Sequence, residues 1–504
     1  MDAQHTLREY ADALRAAGLL TGSAVSPELE KTVISCFTYD TRSISGTALF
    51  MCKGAHFKEE YLHDALAHGA VAYVAEHKYD VDAPYLLVSD IRHALVILGR
   101  LYYNNVTDRL VSVGITGTKG KSTTAYYVRY ILNDYLASQG KPECAILSSI
   151  DNYDGAGTSE SHITTPEVLE LYQHFQNALD HGISHLVMEV SSQALKVGRV
   201  RGMTYDVGAF LNIGTDHISP IEHPDFADYF ASKLKLFDAC RIGCVNTDAE
   251  HAEEVVEYAK SRCELITFGS HESDTLYCSH VEKRTDGLYF TVRSPKYNGE
   301  FSITMPGLFN VSNALAAMAI SMALGVPEES VRRGLRIARA SGRMQVYESH
   351  DHAVTVIVDY AHNRMSFDAL YRSTKAEYPG KKIISVFGCP GSHALQRRQD
   401  LGELSGQNCD YVYITEEDSG EEPFTQIAAD IEKHVHCPHT VLENRGECIR
   451  RAIMTDIGER VILLTGKGEE LYMKRGRVFV ECPSDVDYTL QYLKEYDEKE
   501  ARHE

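Results

Sequence analysis

The sequence predicts a three-unit α/β protein on mostly parallel sheets, and three observations predict it. Short apolar runs of buried-strand character alternate with helical stretches along most of the chain. One such run, Leu110–Ile115, leads directly into a loop of glycine, threonine and lysine that opens a helical pattern. A second alternating series begins near Gly342, each strand of it ending in Gly, Asp or Thr. At 504 residues the chain is also too long for one ordinary core. The expected units are residues 1–108, 109–341 and 342–504.

In chain order, Val71–Ala75 and Tyr85–Val88 read as strands of the first unit. After Leu110–Ile115, Val128, Ile131, Leu132 and Tyr135 recur at helical spacing, so a helix is expected from Thr123 to Gly140, with Gly140 as its stop. Leu186–Val190 and Val207–Leu211 are further buried strands. The last unit carries strands at Val356–Tyr360, Ile383–Gly388, Tyr411–Ile414 and Val461–Gly466. Their ends form the ligand-binding edge expected of a Rossmann-like sheet. Lys494–Glu504 is charged and reads as a fraying helix end.

Composition narrows the function. Hydrophobic residues make up 44% and charged residues 24%, ordinary globular values. No apolar run is long enough to span a bilayer, and the first residues lack a signal-peptide pattern, so the expected compartment is the cytoplasm. The twelve cysteines are scattered; Cys240 and Cys244 could suggest half a metal site, but small buried thiols are the stronger reading. A net charge of −21 argues against nucleic acid and anionic membranes as partners. Any anionic ligand must then be held by local devices such as helix N-termini, lysines or metal ions.

The loop Gly117-Thr118-Lys119-Gly120-Lys121-Ser122-Thr123-Thr124 has the parts of a phosphate cradle. Glycines let backbone N–H groups approach phosphates, Lys121 reaches the β/γ-phosphates, and the Ser122 hydroxyl suits Mg²⁺. The strict pattern G-x-x-x-x-G-K-[ST] is not met, because its first position falls on Ile115 and the glycine is Gly114. Glu189, in an otherwise apolar strand, is a candidate Mg²⁺ ligand. His217 ends the next strand beside Asp216; by physics alone a structural role is as well supported as a metal-binding one. Lys233 on its own reads as a solvated helix residue.

Taken together with Thr164-Thr165-Pro166-Glu167, Met188–Ala194, Asp216–Pro224, Tyr229–Lys233, Phe309–Ala314, Gly342-Arg343-Met344 and Val358–Asn363, these segments resemble the Mur ligases over nearly the whole chain. The likeness is specifically to the MurE type that adds the third amino acid of the peptidoglycan stem peptide, and most of all to its L-lysine-adding members. The resemblance implies an N-terminal UDP-sugar-binding domain, a central P-loop-type ATP-binding domain and a C-terminal amino-acid-binding domain, acting as a monomer. It implies that ATP, with Mg²⁺, phosphorylates the γ-carboxylate of D-Glu in UDP-MurNAc-L-Ala-D-Glu, and that an amino acid's amine displaces phosphate. It assigns catalysis to Lys121, Glu189, His217 and Lys233, the last as an N-carboxylated lysine whose carbamate suits Mg²⁺. The metal set is Ser122, Glu189, His217 and Lys233. ATP contacts are Gly117 to Thr123, Asn310 at the adenine, and Arg343 and Asp359 near the hinge. Thr41, Lys53, Thr164, Thr165, Ser191 and Arg199 hold the nucleotide-sugar peptide.

The chain departs from the family at the amino-acid site. Diaminopimelate-adding enzymes carry Asp-Asn-Pro-Arg and a lysine-adding subset Asp-Asp-Pro-Asn, whereas here the stretch is Thr415-Glu416-Glu417-Asp418-Ser419-Gly420-Glu421-Glu422-Pro423. It has no arginine for a second carboxylate, and its acidic residues suit a side-chain ammonium, unless the loop is simply exposed. The family's Gly-Asp-Arg-Asp stretch is replaced around Gly391-Ser392-His393-Ala394, with Arg397 and Arg398 nearby as candidates for the α-carboxylate. Gly466 and Glu470 complete the amino-acid set with Glu417 and Asp418. The expected substrate is L-lysine; diaminopimelate, a folylpolyglutamate-type or cyanophycin-type paralogue, and a catalytically silent binding module are the alternatives.

Overall fold

Three separate main sheets follow one another along the chain in a computed structural model that describes residues 5–54, 57–161, 163–219, 222–392 and 395–502. Pro220, Ile221, His393, Ala394 and the last two residues of the tail, all part of the sequence expectations, lie outside the described residues.

The first sheet has the order Leu20–Ala24, Tyr85–Val88, Ala70–Ala75, Ala48–Met51, Cys36–Thr38, parallel except for its first pair. Its strands obey the two-residue period: Leu49, Met51, Ala72 and Val74 enter one core, Phe50, Tyr73 and Ala75 the other. The first of these cores does not stop at residue 108. It continues through Leu7, Leu95, Leu171, Leu186 and Tyr229, so apolar packing ties the first sheet to the second.

The second sheet has eleven strands. Its centre is parallel, in the order Ala145–Leu147, His185–Glu189, Val111–Thr116, Tyr205–Phe210, Cys240–Asn246, Glu264–Gly269 and Leu276–Arg284. Antiparallel strands extend both edges: Asp151–Tyr153 with Thr158–Glu160 at one, Gly287–Arg293 with Asn298–Ile303 at the other. These wings were not expected, because their apolar residues alternate with partly or fully exposed ones; Leu288, Phe290 and Val292 are buried on one face only. The helix after the phosphate loop starts at Lys121, two residues before the expected Thr123, because Gly120 at φ 85° supplies the turn. It ends at Ala137, and Gly140, at φ 67°, belongs to the reversal that follows.

The third sheet runs Gln345–Glu348, Val354–Asp359, Arg460–Thr465, Lys382–Phe387, Tyr411–Ile414, His439–Val441, parallel except for its first pair. Every strand expected here is present within about two residues of the expected ends, the usual uncertainty of such boundaries. A hairpin, Tyr472–Arg475 with Val478–Glu481, then folds over the strand ends, and the helix Asp485–Glu500 closes the unit. Among the described residues no helix is long and apolar enough to cross a membrane. Cys240 and Cys244 are buried free thiols.

Candidate active site

The site lies where the C-terminal ends of the second and third sheets meet. At its centre is the turn from strand Val111–Thr116 into helix Lys121–Ala137. A side chain at Gly120 would strike Asn313 Oδ1 at 2.2 Å, and one at Gly117 would meet Leu211 Cβ at 3.0 Å. Only glycine fits this cradle, which leaves backbone N–H groups bare at a helix N-terminus. Thr118 Oγ1 lies 3.0 Å from the Tyr229 hydroxyl, and the Lys119 N–H donates to Asn212 Oδ1 at 2.9 Å. Thr123 and Ser122 are buried in the first helical turn.

Three lysines crowd this turn. Lys121 Nζ donates to the carbonyls of Gly117 (3.0 Å) and Thr118 (3.3 Å). Lys233 Nζ donates to the same Gly117 carbonyl at 2.8 Å. Lys119 Nζ lies 2.9 Å from His362 Nε2. Burial pushes all three ammonium groups down, Lys119 to about 7 against the pull of Asp216 and with help from Arg397 and Lys121. Lys233 is 2% exposed, which corrects the solvated-residue reading that its sequence neighbourhood alone suggested. Three lysines that burial drives toward neutrality, gathered at a helix N-terminus, can take up protons and charge when a polyanion arrives.

Oxygen donors stand on the opposite side. Glu189, 1% exposed, accepts from the Ser149 N–H at 2.8 Å and the Ser149 hydroxyl at 3.2 Å. Ser149 in turn contacts Ser122 Oγ at 2.9 Å. His217 sits in the left-handed region, φ 58°, with Nδ1 3.3 Å from Glu222. Asp216 is buried and bridges to the third sheet, accepting from Asn363 Nδ2 (2.5 Å) and Arg397 Nη2 (2.9 Å). Neighbouring cations hold its carboxyl well below the usual range although burial opposes them. Ser149, His362 and Asn363 were missed as site residues; the last two lay in a motif already noted, whereas nothing in the sequence marks Ser149.

The nucleotide-side residues also converge. Asn310, buried, donates to the Pro306 carbonyl at 2.6 Å and accepts from Asn313 at 2.9 Å. Arg343 stacks over the Tyr360 ring at 4.4 Å. Asp359 accepts from the N–H groups of Met344 (2.9 Å) and Ala361 (2.8 Å), which pins the crossover between second and third sheets, and burial raises its pKa.

At the far side, Lys53 and Arg199 meet on Glu167, at 2.6 and 2.7 Å. Thr165 donates to the Glu189 carbonyl at 3.0 Å and contacts Ser191 Oγ at 3.3 Å; Ser191 caps the helix Ser192–Val197. Thr164 is half-buried beside them. Thr41 opens a single turn capped by Asp40, whose Oδ1 accepts from the Arg42 N–H at 3.0 Å. Glu167, the residue that gathers the two cations, was visible only as the end of the Thr-Thr-Pro-Glu motif.

The acidic stretch is not an exposed loop at Glu416–Asp418, although Glu421 is exposed. Glu416 is 3% and Glu417 7% exposed. Glu416 pairs with Arg475 of the hairpin at 2.6 Å. Asp418, at φ 43°, accepts from the Lys474 N–H at 2.7 Å and pairs with buried Lys467 at 3.1 Å; Lys467 also reaches Glu470 at 2.5 Å. Glu470 accepts from the Tyr360 hydroxyl at 3.0 Å. Glu417 packs over Gly466, where a Cβ would lie 2.0 Å from its carboxylate; the glycine, at φ 98°, is required there. Among the described residues its carboxylate makes no hydrogen bond or ion pair, and burial pushes it up to about 7, with Asp418 adding to the rise. Arg397, paired with Asp216, is near enough to Glu417 to feel its charge, but Arg398 does not join it: its guanidinium is held by Glu422 (2.6 Å) and Asp430 (3.0 Å). Lys467 and Arg475 went unremarked in the sequence because nothing local says which carboxylates they neutralise.

A glycine-lysine phosphate turn facing a second, Rossmann-like sheet is the arrangement of a nucleotide-dependent enzyme built on two α/β units, and here the class is that of the ligases. The comparisons agree. Residues 115–321 match the Mur ligase middle domain and residues 342–468 the Mur ligase glutamate ligase domain. The chain is 36% identical over 460 residues to the UDP-N-acetylmuramoyl-L-alanyl-D-glutamate–L-lysine ligase of Enterococcus faecalis, covering 89% of this chain and 90% of that protein. It is 34% identical over 492 residues to the UDP-N-acetylmuramyl-tripeptide synthetase of Ligilactobacillus salivarius, covering 92% and 95%. A solved UDP-N-acetylmuramoyl-L-alanyl-D-glutamate–2,6-diaminopimelate ligase superposes over 99% of this chain and all of that one, with a TM-score of 0.67 at 20% identity. The chain belongs to the Mur ligase family.

Proposed function

We propose that the protein joins L-lysine to the D-Glu γ-carboxylate of UDP-MurNAc-L-Ala-D-Glu with ATP, as in peptidoglycan synthesis, within three units at 1–108, 109–341 and 342–504. The observation that carries the reaction class is the turn at Gly117–Lys121, with part-buried Lys119 and Lys121 and buried Lys233 around it and Glu189 close to Lys121. ATP phosphates seat on the bare N–H groups, with Lys121 at the transferring phosphoryl. The γ-carboxylate oxygen attacks the γ-phosphorus, ADP departs, and the amine then displaces phosphate from the acyl phosphate while losing a proton. Lys53 and Arg199 hold the anionic parts of the nucleotide-sugar peptide, with Thr164, Thr165, Ser191 and Thr41 shaping its path.

Glu189 and Ser122 offer hard oxygens linked through Ser149, a set that fits Mg²⁺ because that ion takes one or two carboxylates and completes its shell with phosphate and water. His217 and a carboxylated Lys233 would join them. Bound Mg²⁺ would offset charge on the transferring phosphoryl group. A neutral Lys233 amine is the form that adds CO₂, and burial favours that form.

Lysine rather than diaminopimelate is favoured by the pairing in the third unit. Arg475, Arg398 and Lys467 are each taken by a carboxylate, whereas among the described residues Glu417 has no cation paired with it. The surplus charge there is negative and suits a side-chain ammonium. Phosphate release with ATP, Mg²⁺ and the muramoyl dipeptide tests this across candidate amino acids. Lysine should turn over at least about tenfold more efficiently than diaminopimelate; turnover of diaminopimelate without lysine turnover refutes the assignment.

A further inference from the structure

We propose that Asp216 is a positioning residue: it fixes Arg397 to receive the carboxylate of the incoming amino acid and, by the same contact, joins the phosphate-loop unit to the C-terminal unit. The identity of that carboxylate rests on the ligase reading above; the joint itself does not. Asp216 follows strand Tyr205–Phe210, and the left-handed His217 after it turns the chain so that Asp216 points inward while His217 stays partly exposed. The His217 N–H donates back to Asp216 Oδ1 at 3.0 Å and holds that turn. The remaining capacity of the carboxylate goes across the boundary. Oδ1 accepts from Arg397 Nη2 at 2.9 Å and Oδ2 from Asn363 Nδ2 at 2.5 Å, partners 181 and 147 residues away. Lys119 of the phosphate loop stands 3.7 Å from Oδ2. One buried carboxylate therefore touches the phosphate loop and two elements of the third unit.

Arg397 is held by one corner only. A guanidinium carries five N–H donors, and among the described residues only Nη2 is used, while the buried Nε has no partner. Its neighbour Arg398 has both Nη atoms engaged by carboxylates. Pinned through Nη2, with Nε buried and Nη1 unused among the described residues, the guanidinium keeps its Nη1–Nη2 end for a carboxylate, which binds such a fork in two parallel hydrogen bonds. Glu417 lies within electrostatic reach of it, so a zwitterion finds both its receptors at these strand ends. Without Asp216 the fork loses the contact that aims it, and the two units lose a buried charged joint.

Two measurements on the full-length protein test this. In steady-state assays with lysine, Asp216→Asn should raise KM for the amino acid at least about tenfold, with KM for the muramoyl dipeptide changed less than about threefold and kcat largely recovered at saturating lysine. Arg397→Lys should raise the same KM, and the double variant should be no worse than the poorer single one, because both break one contact. An amino-acid KM within about twofold of the parent, or losses that multiply, would overturn the positioning role. Independently of any substrate, Asp216→Asn should speed amide hydrogen exchange around Asn363 and at the start of helix Gln396–Asn408 by about tenfold, leaving the first sheet unchanged. Unchanged exchange there would refute the joint. If the parent turns over no amino acid, the ligase reading fails while exchange still decides the joint. Should Asp216→Asn not fold, Arg397→Lys gives both readouts, the exchange then being followed at 214–218.

Discussion

The phosphate turn of the second sheet and the strand ends of the third are both buried and both charged, but with opposite surplus. Around Gly117–Lys121, three lysines and Arg397 face Glu189 and Asp216, and burial drives the lysines toward neutrality. Around Gly466, four carboxylates, Glu416, Glu417, Asp418 and Glu470, face Lys467 and Arg475, and burial drives Glu417 toward its acid form. In each place the imbalance has the sign opposite to the ligand of the proposed reaction, a polyphosphate in one and an ammonium in the other. Buried charge without a partner is costly, so the residue left unpaired marks where the partner arrives. Asp216 and Arg397 carry one contact between the two.

The largest effect should come from the cationic side. Lys121→Ala is expected to lower kcat by at least about 10³-fold, since the cation offsets charge that develops only on the transferring phosphoryl; undiminished phosphate release would remove the turn from the chemistry. On the anionic side, Glu417→Gln should raise KM for lysine by about ten- to a hundredfold, the range of a buried charge-assisted contact. An unchanged KM would shift recognition to Asp418 or Glu470.

The same group links charge to stability. Glu417 titrates near 7 in the folded protein and near 4.5 when unfolded, so the folded state binds its proton more tightly. Its contribution is therefore unfavourable above both values and fades as pH falls through 7 toward 4.5. Glu417→Gln should raise the melting temperature more at pH 8 than at pH 5, by up to about 3 kcal/mol in stability. Equal shifts at both pH values would mean Glu417 is already paired. Lys119 behaves in the mirror sense: titrating near 7, it is largely neutral at pH 8 until a polyanion binds beside it. ATP binding at pH 8 should take up a fraction of a proton, read as a dependence of calorimetric enthalpy on buffer ionisation. The smallest effect is expected for Arg475→Ala, which frees the half-exposed end of the Glu416 pair and should change lysine KM by no more than about fivefold.

The buried strands were legible because they carry apolar runs, Val356–Val358 and Val461–Leu464, and Val354–Asp359 and Arg460–Thr465 are buried at every position. The edge strands Asn298–Ile303 and Thr158–Glu160 were not, since strands open to water on one side or both carry no such run. The phosphate turn could be read from its residues because its chemistry is local: glycines for space, a lysine one turn into the helix. The acidic stretch at 415–423 could be read only as charge. Its sequence does not say that Arg475, some sixty positions on, neutralises Glu416, or that Lys467 takes Asp418 and Glu470.

The sequence by itself determined the order of the three sheets, the phosphate turn with Lys121, and the family, because each depends on residues adjacent in the chain. Only the tertiary structure decided that Lys233 is buried beside Gly117, that Arg398 has both Nη atoms engaged while Arg397 uses only Nη2 among the described residues, and that Glu417 makes no hydrogen bond or ion pair among them. Those are statements about which charges remain after pairing, and pairing is fixed by distances between segments that the linear sequence leaves undefined.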